Sequence, residues 1–275
     1  MKFTKMHGAG NDYIYVDCFT EDVENPKEVS KKLSDRHFGI GADGLVLIKP
    51  SVIADCFMDI YNADGSRAKM CGNAVRCTAK YIYDNKLKNS TIMVETLSGI
   101  KTVEIIKKDG IAVGGRVNMG RPILSGHQIP TRYGTSIVKN EKLNIEKKIY
   151  EITCVSMGNP HCVVFCNDIE TLDLNKIGPL FENHEMFPER INTEFVEISD
   201  KNHLKMRVWE RGSGETLACG TGACAVAVAS VINGICSKNE EITIQAKGGK
   251  LKVQWNENNN VYLSGNAVRV FDGVI

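Results

Sequence analysis

A repeated pattern decides how this sequence is organised. Residues 58–74 read MDIYNADGSRAKMCGNA, and residues 206–222 read MRVWERGSGETLACGTG. In both segments a methionine lies 13 residues before a Cys-Gly pair, and the segments are offset by 148 residues (219 − 71). The same offset relates Gly10-Asn11 to Gly158-Asn159. Several matches at one offset and in one order predict two structurally equivalent halves.

The repeat also predicts the domain boundaries. A length of 275 residues is typical of about two domains. We expect residues 1–117 together with 262–275 to form the first half, and residues 118–261 to form the second. A C-terminal strand that returns to the first half would tie the two together.

Local patterns indicate that both halves are rich in strands. Helical spacing of apolar residues predicts helices over 26–36, 72–83 and 220–233. Short apolar runs bounded by turn residues predict strands over 13–16, 44–48, 57–61, 91–94, 111–119, 163–165, 194–198, 204–209 and 261–270. The fold class that follows is α+β (mixed α/β) rather than a simple βαβ series.

Composition and charge narrow the classes of function. The hydrophobic fraction of 43% is that of a soluble globular protein. A formal net charge of +1 gives no reason to expect nucleic acid or an anionic membrane as partner, so a small molecule is the expected ligand. We find no signal peptide and expect a cytoplasmic protein with its ten cysteines reduced. None of the cysteines has Cys-x-x-Cys spacing, which disfavours a thioredoxin-like motif or a zinc ribbon.

Cys71 and Cys219 stand out among the cysteines because each comes directly before a predicted helix. A helix N-terminus offers unpaired N–H groups and the positive end of the helix dipole, which predicts a lowered thiol pKa. The glycine after each cysteine lets a carboxylate ligand approach the same N–H groups. Either cysteine alone could be an ordinary buried residue, but a pair at equivalent positions of a repeat indicates shared chemistry.

Two chemistries use paired thiols. A redox couple cycles between dithiol and disulfide, whereas a racemase keeps one cysteine as thiolate and the other as thiol on opposite faces of a carbon acid. Two pseudo-symmetric halves suit inversion, because the two faces of a stereocentre are near mirror images. The lack of Cys-x-x-Cys spacing also favours inversion over redox chemistry.

Polar residues at equivalent positions extend the candidate site. Asn11 and Asn159 each follow a glycine, and Asn62 and Glu210 each follow the aromatic residue that ends a predicted strand. The neighbouring Glu210 and Arg211 could bind the ammonium and carboxylate groups of an amino acid, or could form an ordinary surface ion pair.

His161, two residues after Asn159, could tune the thiol proton, although a lone histidine is more often structural.

These motifs resemble the diaminopimelate epimerase family over essentially the whole chain. The segments that carry the resemblance are 7–12 (HGAGND), 61–66 (YNADGS), 70–74 (MCGNA), 158–161 (GNPH), 210–216 (ERGSGET) and 218–222 (ACGTG). The resemblance implies conversion of LL-2,6-diaminopimelate to the meso form in lysine and peptidoglycan precursor biosynthesis, without pyridoxal phosphate, metal or any other cofactor. It also implies two barrel-like domains, each around a central helix, and a homodimer.

The same resemblance implies a role for each matching residue. Cys71 is expected to donate a proton and Cys219 to accept one in the LL-to-meso direction, with His161 and Glu210 influencing the pKa values of the thiols. The helix N-termini at Gly72-Asn73 and Gly220-Thr221 are expected to bind the carboxylate of the reacting centre. The residues expected to hold the rest of the substrate are Asn11, Asn62, Asn159, Asn192, Glu210 and Arg211.

One position departs from the family pattern. Many members carry glutamine where this chain has Gly44, which corresponds to Asn192 at the 148-residue offset. A substrate contact through position 44 is therefore in doubt.

Other readings share parts of the pattern. Proline racemase-like enzymes and histidine-type racemases share the pair of catalytic cysteines, but not necessarily the Glu-Arg pair for a second amino-acid end. A phenazine-biosynthesis-like isomerase would share the duplicated fold without the cysteine pair. A redox-sensing or amino-acid-binding protein would use the same fold without turnover.

Overall fold

The computed structural model describes residues 1–275 and divides into two compact units. Unit 1 comprises Met1–Asn118 and Ser264–Ile275, and unit 2 comprises Met119–Leu263. The C-terminal segment therefore belongs to the same unit as the N-terminus.

The elements follow one another along the chain in a mixed order. Those of the first half are β1 (Lys2–Gly8), β2 (Asn11–Asp17), α1 (Pro26–Ser34), β3 (Gly44–Lys49), β4 (Cys56–Asn62), β5 (Arg67–Ala68), α2 (Gly72–Asn85), β6 (Thr91–Thr96), β7 (Gly99–Lys108) and β8 (Ile111–Gly120). They are followed by β9 (Glu141–Ile145), β10 (Lys148–Ser156), β11 (Pro160–Phe165), a 3-10 turn (Ile169–Thr171), α3 (Leu174–Glu182), β12 (Asn192–Asp200), β13 (His203–Glu210), β14 (Gly214–Thr216), α4 (Gly220–Ile232), β15 (Glu241–Ala246), β16 (Gly249–Trp255), β17 (Val261–Asn266) and β18 (Val268–Val274).

The strands of unit 1 surround helix α2. From β18 the ladder runs through β1, β2, β3, β4, β6 and β7 to β8, with parallel pairing only at β2–β3 and β4–β6. The N–H of Ala267 donates to the Val113 carbonyl on β8 at 3.0 Å, which joins the two ends of the ladder. Helix α2 packs against β1, β2, β4, β6 and β7. Unit 1 is therefore a strand-rich barrel around a central helix.

The strands of unit 2 are arranged in the same way around α4. The ladder runs from β9 through β10, β11, β12, β13 and β15 to β16, with parallel pairing at β11–β12 and β13–β15. Helix α4 packs against β10, β11, β12, β15 and β16, and its residues from Gly222 to Ser230 are all buried. A helix that is apolar all round is typical of a buried core element.

Strand registers confirm the internal repeat. Tyr13 pairs with Gly44 across β2 and β3, and His161 pairs with Asn192 across β11 and β12, which is the same pairing 148 residues later. The hairpins β4–β5 and β13–β14 and the starts of α2 and α4 obey the same offset. The predicted α+β (mixed α/β) class with two related strand-rich units is therefore confirmed.

The structure also differs from the predicted elements. Helix α3 was not predicted, because Gly178 and Pro179 interrupt its apolar pattern. Gly178 is needed there, since a Cβ would lie 2.2 Å from the Trp209 ring. Helix α1 ends at Ser34, because the Asp35 carboxylate accepts bonds from the N–H groups of the two residues at 37 and 38 and closes a turn.

Connections between strands were also incompletely predicted. The predicted strand 261–270 divides at residue 267 into β17 and β18. Each unit contains two parallel β–α–β crossovers, through α1 and α2 in the first and α3 and α4 in the second. None of the helices is long and apolar enough to cross a membrane.

Candidate active site

Both candidate cysteines occupy the N-cap of a central helix. Cys71 precedes α2 and Cys219 precedes α4, each with extended backbone (φ −139° and −115°). The cysteine carbonyls accept the first helical bonds, from the N–H groups of Val75 at 3.0 Å and Ala223 at 2.9 Å. Each thiol therefore stands beside first-turn amides that a helix leaves without internal partners.

In unit 1, Cys71 donates its thiol hydrogen to a fixed carbonyl oxygen. Its Sγ lies 3.3 Å from Asn11 Oδ1, which also accepts from Asn73 Nδ2 at 3.3 Å. Asn11 Nδ2 donates to Asp43 Oδ2 at 2.7 Å. A carboxylate can only accept, so Asp43 fixes the amide with its oxygen toward Cys71.

Ionised groups hold this carboxylate in place. Arg36 Nη2 lies 2.8 Å from Asp43 Oδ1 and 2.8 Å from Asp12 Oδ1, and Lys5 Nζ lies 2.7 Å from Asp12 Oδ2. Burial raises the pKa of Asp12, but the bonds and charges of Arg36 and Lys5 outweigh burial and lower it. The ion pairs of Lys5, Asp12, Arg36 and Asp43 therefore stabilise the orientation of the Asn11 side chain.

A permanent positive charge lies under the first turn of α2. Arg76 is fully buried and donates to Asn73 Oδ1 at 2.7 Å and to the Gly72 carbonyl at 2.9 Å. The equivalent residue of unit 2, 148 positions later, is the buried Cys224, which carries no positive charge. The two helix starts therefore have similar backbones and different electrostatics.

Tyr13 takes the place of the missing side chain at position 44. A Cβ on Gly44 would lie 2.1 Å from the Tyr61 carbonyl oxygen and 2.9 Å from Tyr13 Cε1. Burial raises the pKa of Tyr13 well above its ordinary value, and the nearby Cys71 raises it further, so Tyr13 is a neutral phenol. The space that a glutamine would need is already filled.

In unit 2, the thiol of Cys219 lies in a different environment. Its Sγ accepts a bond from the Gly222 N–H at 3.4 Å and lies 3.4 Å from Thr221 Oγ1. Burial raises the pKa of Cys219 well above its ordinary value, and the charges of Glu210 and Glu194 raise it further. The expected lowering of the Cys219 pKa is therefore wrong, because burial and two carboxylates outweigh the helix N-terminus.

His161 connects a buried carboxylate to this thiol through two polar side chains. Its Nδ1 lies 2.7 Å from Glu194 Oε1, and its Nε2 lies 3.1 Å from Asn159 Oδ1. Asn159 Nδ2 donates in turn to Thr221 Oγ1 at 3.2 Å. The sequence-predicted residues Asn159, His161, Thr221 and Cys219 are thus brought together.

Glu194 was missed at the sequence level. It lies on β12 two residues after Asn192, so that both side chains lie on one face of the strand. A carboxylate at the start of the predicted strand 194–198, two residues after Asn192, was the signal that could have identified it.

Glu210 and Arg211 bind different partners. Glu210 Oε1 accepts from Thr216 Oγ1 at 2.5 Å, and burial raises the pKa of Glu210. Arg211 directs its guanidinium to the Glu189 carbonyl at 2.8 Å, while its N–H donates to Asn192 Oδ1 at 3.0 Å. Adjacent positions at the end of β13 therefore present a carboxylate and a guanidinium in different directions.

The remaining predicted amides are already hydrogen-bonded within their own units. Asn192 Nδ2 donates to the Pro160 carbonyl at 2.7 Å, and Asn62 Nδ2 donates to Ser66 Oγ at 2.9 Å. No group of three or more His, Cys, Asp or Glu side chains is placed to hold a metal ion.

A family model and the similar proteins of known name agree on one family. The family model described as diaminopimelate epimerase matches residues 3–125 and 153–270. A protein of Acetivibrio thermocellus named diaminopimelate epimerase is 56% identical, over 100% of this chain and 98% of that protein. One of the same name from Methanococcus maripaludis is 53% identical over 100% of this chain and 99% of its own length.

Solved structures with lower identity share the fold. A PhzF-family phenazine biosynthesis protein of Bacillus anthracis is 17% identical with a TM-score of 0.69, covering 100% of this chain and 99% of that one. A probable proline racemase from Agrobacterium radiobacter is 13% identical with a TM-score of 0.70, covering 100% and 92%. At these identities the likeness concerns the fold alone.

Proposed function

The chain belongs to the diaminopimelate epimerase family, and we propose that it converts LL-2,6-diaminopimelate to the meso form without a cofactor, in lysine and peptidoglycan precursor biosynthesis. The observation that carries the proposal is the pair of cysteines at equivalent helix N-caps. Each has a thiol beside first-turn amides. Asn11 accepts from the Cys71 thiol, and Asn159, at the same position of the repeat, donates to Thr221, whose hydroxyl lies 3.4 Å from Cys219 Sγ. Two thiols can act as the acid and the base of a two-base inversion at a carbon centre.

The proposed reaction is a two-base inversion. Cys219, as thiolate, takes the α-proton, and the C–H electron pair passes to the substrate as a carbanion. Cys71, as thiol, then delivers its proton to the opposite face of that carbon. The products are the inverted centre, a thiol at Cys219 and a thiolate at Cys71, and the two thiols exchange roles in the reverse direction.

The hydrogen bonds of the two cysteines differ, and the difference supports Cys71 as the acid and Cys219 as the base. Cys71 donates to the fixed carbonyl of Asn11, an arrangement that suits a thiol. Cys219 accepts from the Gly222 N–H, which suits a thiolate once the surrounding negative charge is offset. A substrate ammonium near Glu210 would offset it, because the Glu210 charge is one cause of the raised pKa of Cys219.

The substrate carboxylate is assigned to the helix starts. The N–H groups at Gly72-Asn73 and Gly220-Thr221 can bind the carboxylate of the reacting centre, because helix N-termini favour anions. Asn11, Asn62, Asn159, Asn192, Glu210 and Arg211 are assigned to the remainder of the substrate. Asn62 and Asn192 would have to exchange their present bonds for bonds to the substrate. We also propose a homodimer and a cytoplasmic location, both of which rest on the family resemblance.

Incubation of the purified protein with LL-diaminopimelate in D2O, with no added cofactor, tests the proposal. We expect chiral chromatography to show the meso form, and mass spectrometry to show one solvent deuterium in each inverted molecule. A Cys71→Ser/Cys219→Ser double variant serves as the control. Binding of the substrate without inversion or deuterium uptake would identify an amino-acid-binding protein and refute the proposal.

A further inference from the structure

Glu194 is an unusual carboxylate for a strand interior. Its side chain and that of His161 are both 0% exposed. Its Oε1 binds His161 Nδ1 at 2.7 Å, whereas its Oε2 is buried without a hydrogen-bond partner. Burial of an incompletely paired carboxylate destabilises a fold, so packing alone does not explain the residue.

Space for this carboxylate depends on a glycine in the first turn of α4. A Cβ on Gly222 would lie 2.5 Å from Glu194 Oε1 and 3.2 Å from Cys219 Cβ. The carboxylate thus reaches the same helix start that carries the thiol. Glu194 and Cys219 are also electrostatically coupled, because the Glu194 charge contributes to the raised pKa of Cys219.

The bond to Glu194 determines which ring nitrogen of His161 carries hydrogen. Because the carboxylate only accepts, Nδ1 must donate, and Nε2 is left facing Asn159. When Nε2 carries hydrogen, it donates to Asn159 Oδ1, and Asn159 Nδ2 donates to Thr221 Oγ1. The Thr221 hydroxyl then donates to Cys219 Sγ. When Nε2 is unprotonated, reversal of the amide and the hydroxyl makes Sγ the donor. This series of side chains passes the direction of hydrogen bonding from His161 to Cys219, and no proton moves along it.

Unit 1 lacks this reversible chain. The positions equivalent to His161 and Glu194 are Tyr13 and Val46, and Asn11 is held in one orientation by Asp43. Cys71 therefore meets the fixed acceptor of Asn11 together with the Tyr13 phenol. Cys219 instead meets the Thr221 hydroxyl, which can donate or accept.

We propose that Glu194 is a positioning residue of the epimerase: it fixes the tautomer of His161, and through Asn159 and Thr221 it sets the direction of hydrogen bonding at Cys219. The inference rests on the proposed function. The charged or titratable groups that face His161 and Glu194 are Glu210 from β13, Cys219 from α4 and Cys162 from β11. None of these three replaces Glu194 at Nδ1, where the only bond is to Glu194 Oε1.

Glu194→Gln tests the inference, because glutamine keeps the shape but its amide can either donate to Nδ1 or accept from it. We expect 15N NMR to show the Nδ1–H tautomer of His161 in the parent protein and a mixture or the other tautomer in the variant. We expect kcat to fall about 100-fold or more, with KM changed much less, since loss of a tautomer-fixing carboxylate has effects of that size. Glu197→Gln, on the same strand and paired with Lys205 rather than His161, is the matched control and should keep the parent kcat.

A double-variant comparison separates positioning from general damage. If Glu194 acts only through His161, Glu194→Gln adds little to the loss caused by His161→Gln, whereas independent roles would multiply the two losses. Multiplied losses, or an unchanged His161 tautomer in Glu194→Gln, would overturn the inference. Because the NMR measurement needs no substrate, its result is independent of whether the parent protein inverts diaminopimelate.

Discussion

Tyr13 and His161 occupy the same position of the repeat, 148 residues apart, and each is paired across a parallel ladder with a residue at the start of the next strand. The partner of Tyr13 is Gly44, and the partner of His161 is Asn192. One scaffold thus places a neutral phenol near Cys71 and an imidazole that contacts a carboxylate near Cys219. The different surroundings of the two cysteines arise from these differences in residue type within a strand register that both units share.

Restoring the family's glutamine should damage this chain. In Gly44→Gln, the new Cβ meets a backbone carbonyl at 2.1 Å, which cannot move without displacing β4. We expect unit 1 to lose about 2 kcal/mol or more of unfolding free energy through overpacking. Hydrogen exchange of the β3 and β4 amides is the suitable measurement, because both tryptophans, Trp209 and Trp255, lie in unit 2 and do not report on unit 1.

Gly134→Ala provides the control for this change. No atom lies within 4 Å of a Cβ built at Gly134, so alanine should leave the stability nearly unchanged. Unchanged exchange in Gly44→Gln would show that β4 adapts and that Tyr13 does not exclude a side chain from position 44.

The fold was largely predictable because its signals are local or repeated. The 148-residue offset predicted equivalent helix starts at Gly72 and Gly220, and the structure places both there. Helix α3 could not be predicted, because the packing of Gly178 against Trp209 joins residues 31 positions apart and leaves no periodic trace.

Each cysteine should be indispensable for turnover while leaving the fold intact. Cys71→Ser and Cys219→Ser replace a thiol by a far weaker acid of similar size, so we expect epimerisation to fall at least about 100-fold in either variant. Epimerisation of LL-diaminopimelate by each variant is the measurement, with circular dichroism to verify folding. Cys166→Ser, at a half-buried cysteine away from both helix starts, should keep parent activity. Full activity in either Cys71 or Cys219 variant would exclude the two-base assignment.

The candidate site was predictable in its residues but not in its electrostatics. Motif spacing identified Cys219, yet the pKa of its thiol is raised first by burial and then by the charges of Glu210 and Glu194. Glu194 lies close to the thiol only because β11 pairs with β12. A helix N-terminus by itself lowers the pKa of a thiol, but burial and neighbouring negative charges together raise the pKa of Cys219.

Asp59 should contribute stability to unit 1 that depends on pH. It is 1% exposed and pairs with Lys49 at 2.6 Å and Arg67 at 2.7 Å. Burial raises its pKa, but these two partners outweigh burial and lower the pKa below its ordinary value of 3.8. A group with a lowered folded-state pKa stabilises above its unfolded value, and the contribution is lost as pH falls through the folded value.

Asp59→Asn should therefore destabilise unit 1 by about 2 kcal/mol or more at pH 7, and by progressively less at an acidic pH below 3.8. The measurement is urea unfolding at the two pH values, monitored through hydrogen exchange of the β4 amides. Asp22→Asn, at an exposed carboxylate, should have little effect at either pH. An Asp59→Asn effect that is equal at both pH values would mean that the ion pairs do not contribute.

The Thr221 hydroxyl should matter more for turnover than for folding. It stands 3.2 Å from Asn159 Nδ2 and 3.4 Å from Cys219 Sγ, so it is the one side chain that joins the amide to the thiol. Thr221→Val keeps the shape and removes the hydroxyl, whereas Thr221→Ser keeps the hydroxyl. Since a hydrogen bond to a charged group contributes about 1.5–3 kcal/mol, we expect kcat to fall about 10- to 100-fold in Thr221→Val and to stay near the parent value in Thr221→Ser. Steady-state kinetics on LL-diaminopimelate would decide, and a kcat of Thr221→Val equal to that of Thr221→Ser would show that the hydroxyl is not what Cys219 needs beside it.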